Sequence, residues 1–279
     1  MSLPFLDARR LAPEAAVDAL EAALSDGLDV DADPPRSAVG PLLVMPSVAG
    51  GLGVKLVTVG DAEPRVQGVY VLFDADTLAP VAIVDGIGLT DVRTSAVSAL
   101  AVRHLAGRRE RLVVFGTGPQ ARAHVAALAA EDVVVVGRDR EKTAAFARDV
   151  GGAPGDARAV AGADVVVCAT TAREPLFDGE AVPDHATVVA IGSHEPDARE
   201  VDERLVRRAT VVVESRSSAL REAGDLLLAG IGAEDLHDLG ELVRGQVTVD
   251  PARPRLFKST GMAWEDLVVA RAVHRASLA

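Results

Sequence analysis

The sequence is poor in the residues on which several protein classes depend. Of 279 residues only Cys168 is a cysteine, which excludes a disulfide framework and a cysteine-bound structural zinc, so no metal site is expected. Aromatics make up 3%, and the core has to be assembled from the valine, leucine and alanine that carry the hydrophobic share to 49%. No run approaches the roughly 18 apolar residues of a membrane-spanning helix. Lysine and arginine form no block, and the net charge is −12, which argues against nucleic acid or an anionic membrane as partner. The first ten residues lack a basic start followed by an apolar stretch, so no signal peptide is read and a soluble cytoplasmic protein is the default.

What is present centres on Arg111 to Arg122. A near-continuous apolar run, Leu112 to Phe115, leads into Gly116-Thr117-Gly118-Pro119-Gln120-Ala121, and Val125, Ala126 and Leu128 follow at helical spacing. That is strand, glycine turn, helix. Gly116 permits the turn, Gly118 lets a phosphate approach the backbone, and Ala121 is small enough for close helix–strand packing. Pro119 suits the first helical position, where its missing N–H costs nothing. The free N–H groups of that helix start would face a pyrophosphate. The next strand, Asp132 to Val136, ends in Gly137-Arg138, with Arg140 and Lys142 close behind. A dinucleotide fold that takes NAD(H) expects an acid near this place to grip the ribose. A guanidinium there suits a 2′-phosphate, so the cofactor is read as NADP(H). NAD(H) is the other candidate, should Arg138 be only a solvated surface charge.

Alternation of buried strands and helices continues through Ala163 to Thr171, Thr187 to Gly192 and Thr210 to Val213, the last taken as the final parallel strand. This gives an α/β fold, a doubly wound parallel sheet whose ligands sit at the carboxyl ends of its strands. Ala169, Thr170 and Thr171 close one strand, and Ile191, Ser193 and His194 close the next. Before the glycine turn, Val66 to Phe73 and Pro80 to Val84 read as a hairpin, and a helix is expected from about Thr90 to Leu105.

Two early charges stand in apolar company. In the strand Gly53 to Val59, alternation puts Lys55 with Val57 and Val59 on one face. Desolvation would make Lys55 a usable acid or base, unless it snorkels out or pairs with a structural carboxylate. Leu89, Arg93, Ala96 and Leu100 form one helical stripe. An inward arginine keeps its charge, so Arg93 needs an anion: a protein carboxylate such as Asp85, or a substrate or cofactor.

Five blocks together resemble the ornithine cyclodeaminase/mu-crystallin family. They are Gly53 to Val57, Leu89 to Ser98, Gly116 to Arg122, Ala190 to Glu200, and Phe257 to Asp266. The resemblance implies a Rossmann-type domain, 98–254, inserted in a smaller α+β substrate-binding and dimerisation domain, 1–97 plus 255–279. It implies a homodimer that transfers hydride at the α-carbon of a small amino or imino acid, as an imine or ketimine reductase or an amino-acid dehydrogenase. Ornithine cyclodeaminase activity, or non-catalytic binding of NADPH and a carboxylate, are the alternatives. Arg36 and Arg93 resemble the family's carboxylate-binding arginines, and Lys55 its active-site lysine. Thr94, Gln120, Thr170, Ile191 and Ser259 resemble cofactor-contacting positions, and Arg138 the NADP-selecting arginine. His194 replaces the aspartate held to act as base in true cyclodeaminases; it could serve as acid or base but brings no negative charge to a substrate amine. This favours the reductase. The loop Gly60 to Arg65 is short for the family and could shape the substrate pocket.

Overall fold

The computed structural model describes residues 2–60 and 66–278, and the loop expected to shape a substrate pocket lies, from 61 to 65, outside the described residues. In chain order the first elements are β1 (Phe5–Leu6), α1 (Pro13–Ser25), β2 (Ser37–Val39), β3 (Leu42–Ser47), β4 (Leu52–Val59), β5 (Val66–Phe73), β6 (Pro80–Asp85) and α2 (Gly86–Leu105). The middle of the chain gives β7 (Arg111–Phe115), α3 (Pro119–Leu128), β8 (Asp132–Val136), α4 (Arg140–Asp149), β9 (Ala153–Pro154), β10 (Val165–Cys168) and β11 (Thr187–Ala190). Then come α5 (Glu203–Arg208), β12 (Thr210–Val213), α6 (Arg216–Glu222), α7 (Gly224–Leu227), β13 (Leu236–Asp238), α8 (Leu239–Val243), β14 (Arg255–Lys258) and α9 (Ala263–Leu278). Two compact units result, one of Met1–Val97 with Gly261–Ala279, the other of Ser98–Thr260.

In the first unit the strands form a six-stranded sheet in the order β1-β6-β5-β4-β3-β2, antiparallel except for the β1–β6 pair. Burial alternates along it, as a sheet covered on one face requires. On β4, Gly53, Lys55 and Val57 are buried while Leu52, Val54 and Leu56 are half-buried. The expected face for Lys55 holds, although Val59 is exposed at the strand end. Tyr70 stands across from Lys55 in the register and is wholly buried. Its ring reaches diagonally over Gly53, where a Cβ would stand 2.2 Å from the hydroxyl. The covering layer is α9, which packs on β3, β4 and β5 and against α1. Ala263 to Ala270 of α9 are all buried, so this helix is a core element despite two acidic residues in its first turn.

The second unit holds a wholly parallel eight-stranded sheet, ordered β13-β12-β14-β11-β10-β7-β8-β9. Its central strands β10, β11, β12 and β14 are buried at every position. Strands covered on both faces read as continuous apolar runs for this reason. The α/β class with a parallel sheet is as expected, with three corrections. Thr210–Val213 does not end the sheet, because β14 inserts between β11 and β12 and β13 adds outside β12. Residues 255–260 therefore belong with the parallel sheet and not with the first unit, since Arg255–Lys258 pair on both sides within it. The helix expected from Thr90 begins at Gly86, because Asp85 caps it by accepting from the Ile87 and Gly88 backbone N–H groups.

Gly53→Ala is expected to lower unfolding stability by about 1–3 kcal/mol, the usual cost of overpacking, because the new methyl must displace the buried Tyr70 ring. Urea denaturation measures this, and an unchanged midpoint would show that the ring does not lie over the strand.

Candidate functional site

In the first unit three cations gather where the chain enters α9. Lys55 is 3% exposed and Arg93 7% exposed. Lys55 Nζ lies 2.7 Å from Asp266 Oδ2, and Arg93 Nη1 lies 2.7 Å from Glu265 Oε2, with its Nε 3.4 Å from Asp266 Oδ1. Arg36 Nη2 donates to the Gly261 carbonyl at 3.0 Å. A Cβ on Gly261 would stand 2.9 Å from Arg93 Nη2, so both guanidinium groups meet at this residue. Leu89, Ala96 and Leu100 are buried with Arg93, as the helical stripe requires. Asp85 is not its partner; that carboxylate pairs with Arg9 at 2.9 Å besides capping α2.

Glu265 and Asp266 are wholly buried and went unread as partners in the sequence. A signal existed: Asp266 shares a helix side with Val269 and Val273, the same anomaly that marks Arg93. Of the five groups, three are cationic and two anionic, and the guanidinium groups of Arg36 and Arg93 are of the type that binds a carboxylate. Burial pushes the Lys55 ammonium below the ordinary lysine range; the Asp266 charge opposes this and the Arg93 charge adds to it. Burial, with Asp266 and Asp33 nearby, holds the Tyr70 hydroxyl well above its ordinary range.

In the second unit the strand order reverses between β7 and β10, the place where open α/β sheets take ligands. Gly116, at the end of β7, has φ +113°, and a Cβ there would stand 2.3 Å from the Ala169 carbonyl oxygen after β10. Only glycine fits. Gly118 is the N-cap of α3 and makes no side-chain cap, with Pro119 next. Apart from its chain neighbours, no atom of the described residues lies within 4 Å of where a Gly118 Cβ would stand, so among them the space over the helix start is open. Thr117 and Gln120 flank that opening and are half-buried. After β8, Gly137 backs onto Thr117 and Thr143, and Arg138 and Lys142 are exposed. The acid in this loop, Asp139, is spent on capping α4 through the Glu141 and Lys142 N–H groups. These residues fit a dinucleotide: an open helix start, a turn without side chains, and cations in place of a ribose-binding acid.

The strand ends beside the turn are fixed by buried charge. Glu200, wholly buried, accepts from Thr170 N at 2.9 Å and Thr170 Oγ1 at 2.6 Å with one oxygen, and from Gly192 N at 2.7 Å with the other. Burial raises its pKa against the pull of Lys258 and these hydrogen bonds. Asp225 accepts from the Glu200 and Val201 N–H groups and lies 2.8 Å from Lys258 Nζ, which donates to the Ser193 carbonyl at 2.6 Å. Thr170 and Ile191 are half-buried at these strand ends, and Thr171 and His194 are exposed. Ser259 donates to Glu214 and is 2% exposed; Thr94, in the first unit, is 5% exposed. Cys168 is wholly buried and its thiol is pushed well up by that burial, consistent with an inert core residue.

A family model for the ornithine cyclodeaminase/mu-crystallin family matches residues 16–279. The chain belongs to this family. It is 38% identical over 255 residues to a rat ketimine reductase mu-crystallin, covering 84% of this chain and 80% of that protein. It is 34% identical over 258 residues to a Delta(1)-pyrroline-2-carboxylate reductase of Bacillus cereus, covering 82% and 79%. Among solved structures, the Thermococcus litoralis Delta(1)-pyrroline-2-carboxylate reductase in complex with NADH and L-proline superposes with a TM-score of 0.89 at 26% identity, over 99% of this chain and 98% of that one.

Arg93→Met is expected to cost about 3–5 kcal/mol of unfolding free energy, because it leaves buried carboxylate charge uncompensated. Adding Glu265→Gln should recover part of that loss. A single-variant loss under about 1 kcal/mol in urea denaturation would show the cluster to be solvated.

Proposed function

We propose that this protein is an NAD(P)H-dependent imine reductase, which reduces a cyclic imino acid of the pyrroline-2-carboxylate type to the amino acid. The observation that carries the reading is the convergence of Arg36, Lys55 and Arg93 on residues 261–266. Arg36 and Arg93 grip the substrate carboxylate through their guanidinium N–H groups. Lys55 gives the proton that the imine nitrogen takes up on reduction. His194, exposed beyond β11, is a secondary proton carrier, and its place in the position of the cyclodeaminase aspartate supports reduction over cyclodeamination. Gly116, Thr117, Gly118, Pro119, Gln120, Gly137, Arg138, Lys142, Ala169, Thr170, Thr171, Ile191, Ser259 and Thr94 form the cofactor contacts in this reading. A bound reduced nicotinamide would supply the hydride. Exposed Arg138 and Lys142, with Asp139 committed to its helix cap, support a preference for NADP(H).

The test is cofactor oxidation with Δ1-pyrroline-2-carboxylate, with ornithine and trace NAD⁺ as the counter-assay. Steady NADPH consumption with proline formed supports the reductase; proline and ammonia from ornithine without net cofactor change would replace it by the lyase. Arg138→Asp is expected to move the NADPH/NADH preference toward NADH by at least about tenfold, roughly 1.4 kcal/mol. An unchanged ratio removes the 2′-phosphate assignment.

A homodimer belongs to the same reading, as does a cytoplasmic place where reduced nicotinamide is drawn upon. No helix of the described residues is long and apolar enough to cross a membrane. What supports the dimer is the outer face of the six-stranded sheet. Val44, Leu56 and Val69 stand in register there, as do Pro46, Val54, Val71 and Ile83, all half-buried and all apolar. Such a continuous patch on a single chain marks an interface, and a two-fold contact would pack it on itself. Val71→Asp enters that contact twice and should give a monomer by light scattering; a wild-type monomer contradicts the dimer.

A further inference from the structure

Two consecutive buried acids on one helix are costly to keep ionised unless each has its own partner. Glu265 and Asp266 differ by roughly 100° around α9, as neighbouring helical residues do. Their carboxylates therefore reach different cations: Glu265 takes Arg93 Nη1 and Asp266 takes Lys55 Nζ, each at 2.7 Å. The cross-contact from Asp266 to Arg93 Nε is longer, at 3.4 Å. We propose that the two acids divide the work, Asp266 being the positioning residue that holds Lys55 as the charged proton donor, and Glu265 the one that holds Arg93 for the substrate carboxylate. This rests on the imine-reductase reading.

The chemistry requires such a partner. Hydride adds to the imine carbon while the C=N π pair moves onto nitrogen, and nitrogen takes a proton from Lys55 Nζ. A bound reduced nicotinamide would supply the two electrons, the amine product carries the new C–H and N–H bonds, and Lys55 is left neutral until water returns its proton. A buried lysine tends to lose that proton early, and the neighbouring Arg93 charge pushes the same way. Facing Lys55 are Asp266 and Glu265 from α9, Arg93 from α2 and Tyr70 from β5. Tyr70 is held neutral and Arg93 does not titrate, so the negative charge in contact with Lys55 decides its state.

The experiment is the pH dependence of kcat/KM for Δ1-pyrroline-2-carboxylate with NADPH, in wild type, Asp266→Asn, Asp266→Glu and Glu265→Gln. Asp266→Asn should draw the alkaline limb down by roughly one to three pH units, the effect of removing an opposite charge at contact distance. Asp266→Glu should return most of it. Glu265→Gln should raise KM and move the limb down by less than Asp266→Asn does, since its charge also acts on Lys55 but more weakly. Calorimetric binding of pyrrole-2-carboxylate across the same pH range reads the lysine's charge without turnover, and so serves a variant that folds but does not react. An alkaline limb and a binding transition that both stay put in Asp266→Asn overturn the proposal, as does an equal shift in Glu265→Gln. Wild-type protein that reduces no imino acid, yet shows the binding transition moved by Asp266→Asn, defeats the reductase reading and leaves the division between the acids standing.

Discussion

The structure depends on a buried ionic cluster that no hydrophobic core would choose. Lys55 from β4, Arg93 from α2 and the Glu265–Asp266 pair from α9 are removed from water together. Each charge taken alone would cost several kcal/mol to bury, on the order of what a whole domain has to spare. They are tolerable only as a set. The set also ties the two distant ends of the first unit, because Arg93 and Glu265 are 172 residues apart in the chain. An apolar replacement of similar volume would hold these elements at least as well. What the ions add is a set of side chains held in fixed places beside Arg36 and Gly261, where the proposed substrate carboxylate would bind.

The second unit solves a related problem by other means. Its sheet places the Gly116 turn and the Ala169 carbonyl in direct contact at the reversal of strand order. The neighbouring loops could drift, since they lie beyond the last ladder bonds of β10 and β11. Glu200 fastens them by bonding Thr170 and Gly192 at once, and Asp225 with Lys258 fastens Glu200 and Ser193 in turn. Here buried charge fixes backbone; in the first unit it joins side chains from separate elements. Both uses put ionisable groups where stability alone would put leucine.

The sequence made some of this legible and not the rest, for reasons of distance. The strand–turn–helix at Gly116 could be read because its parts are consecutive and each glycine has a local geometric cause. Lys55 and Arg93 stood out because a period of two or of 3.6 leaves a charge visibly out of place on an apolar face. Asp266 obeyed the same rule but sat in a helix apolar on nearly every side, where periodicity carries little contrast. Its partner strand lay more than 200 positions away, beyond any local pattern. Arg255 to Lys258 read as a strand, but the same limit hid its place: four residues cannot show from their composition that they slot between β11 and β12. Asp85 was the nearer acid to Arg93 in sequence, yet the open N–H groups at the start of α2 claimed it first.

The most direct test of the central claim is a crystal structure of the protein with NADP⁺ and L-proline. The account predicts the proline carboxylate within about 3 Å of nitrogen atoms of Arg36 and Arg93, with Lys55 Nζ beside it and still paired to Asp266. A carboxylate bound elsewhere, or a cluster that stays closed on itself with no ligand against it, would contradict the account.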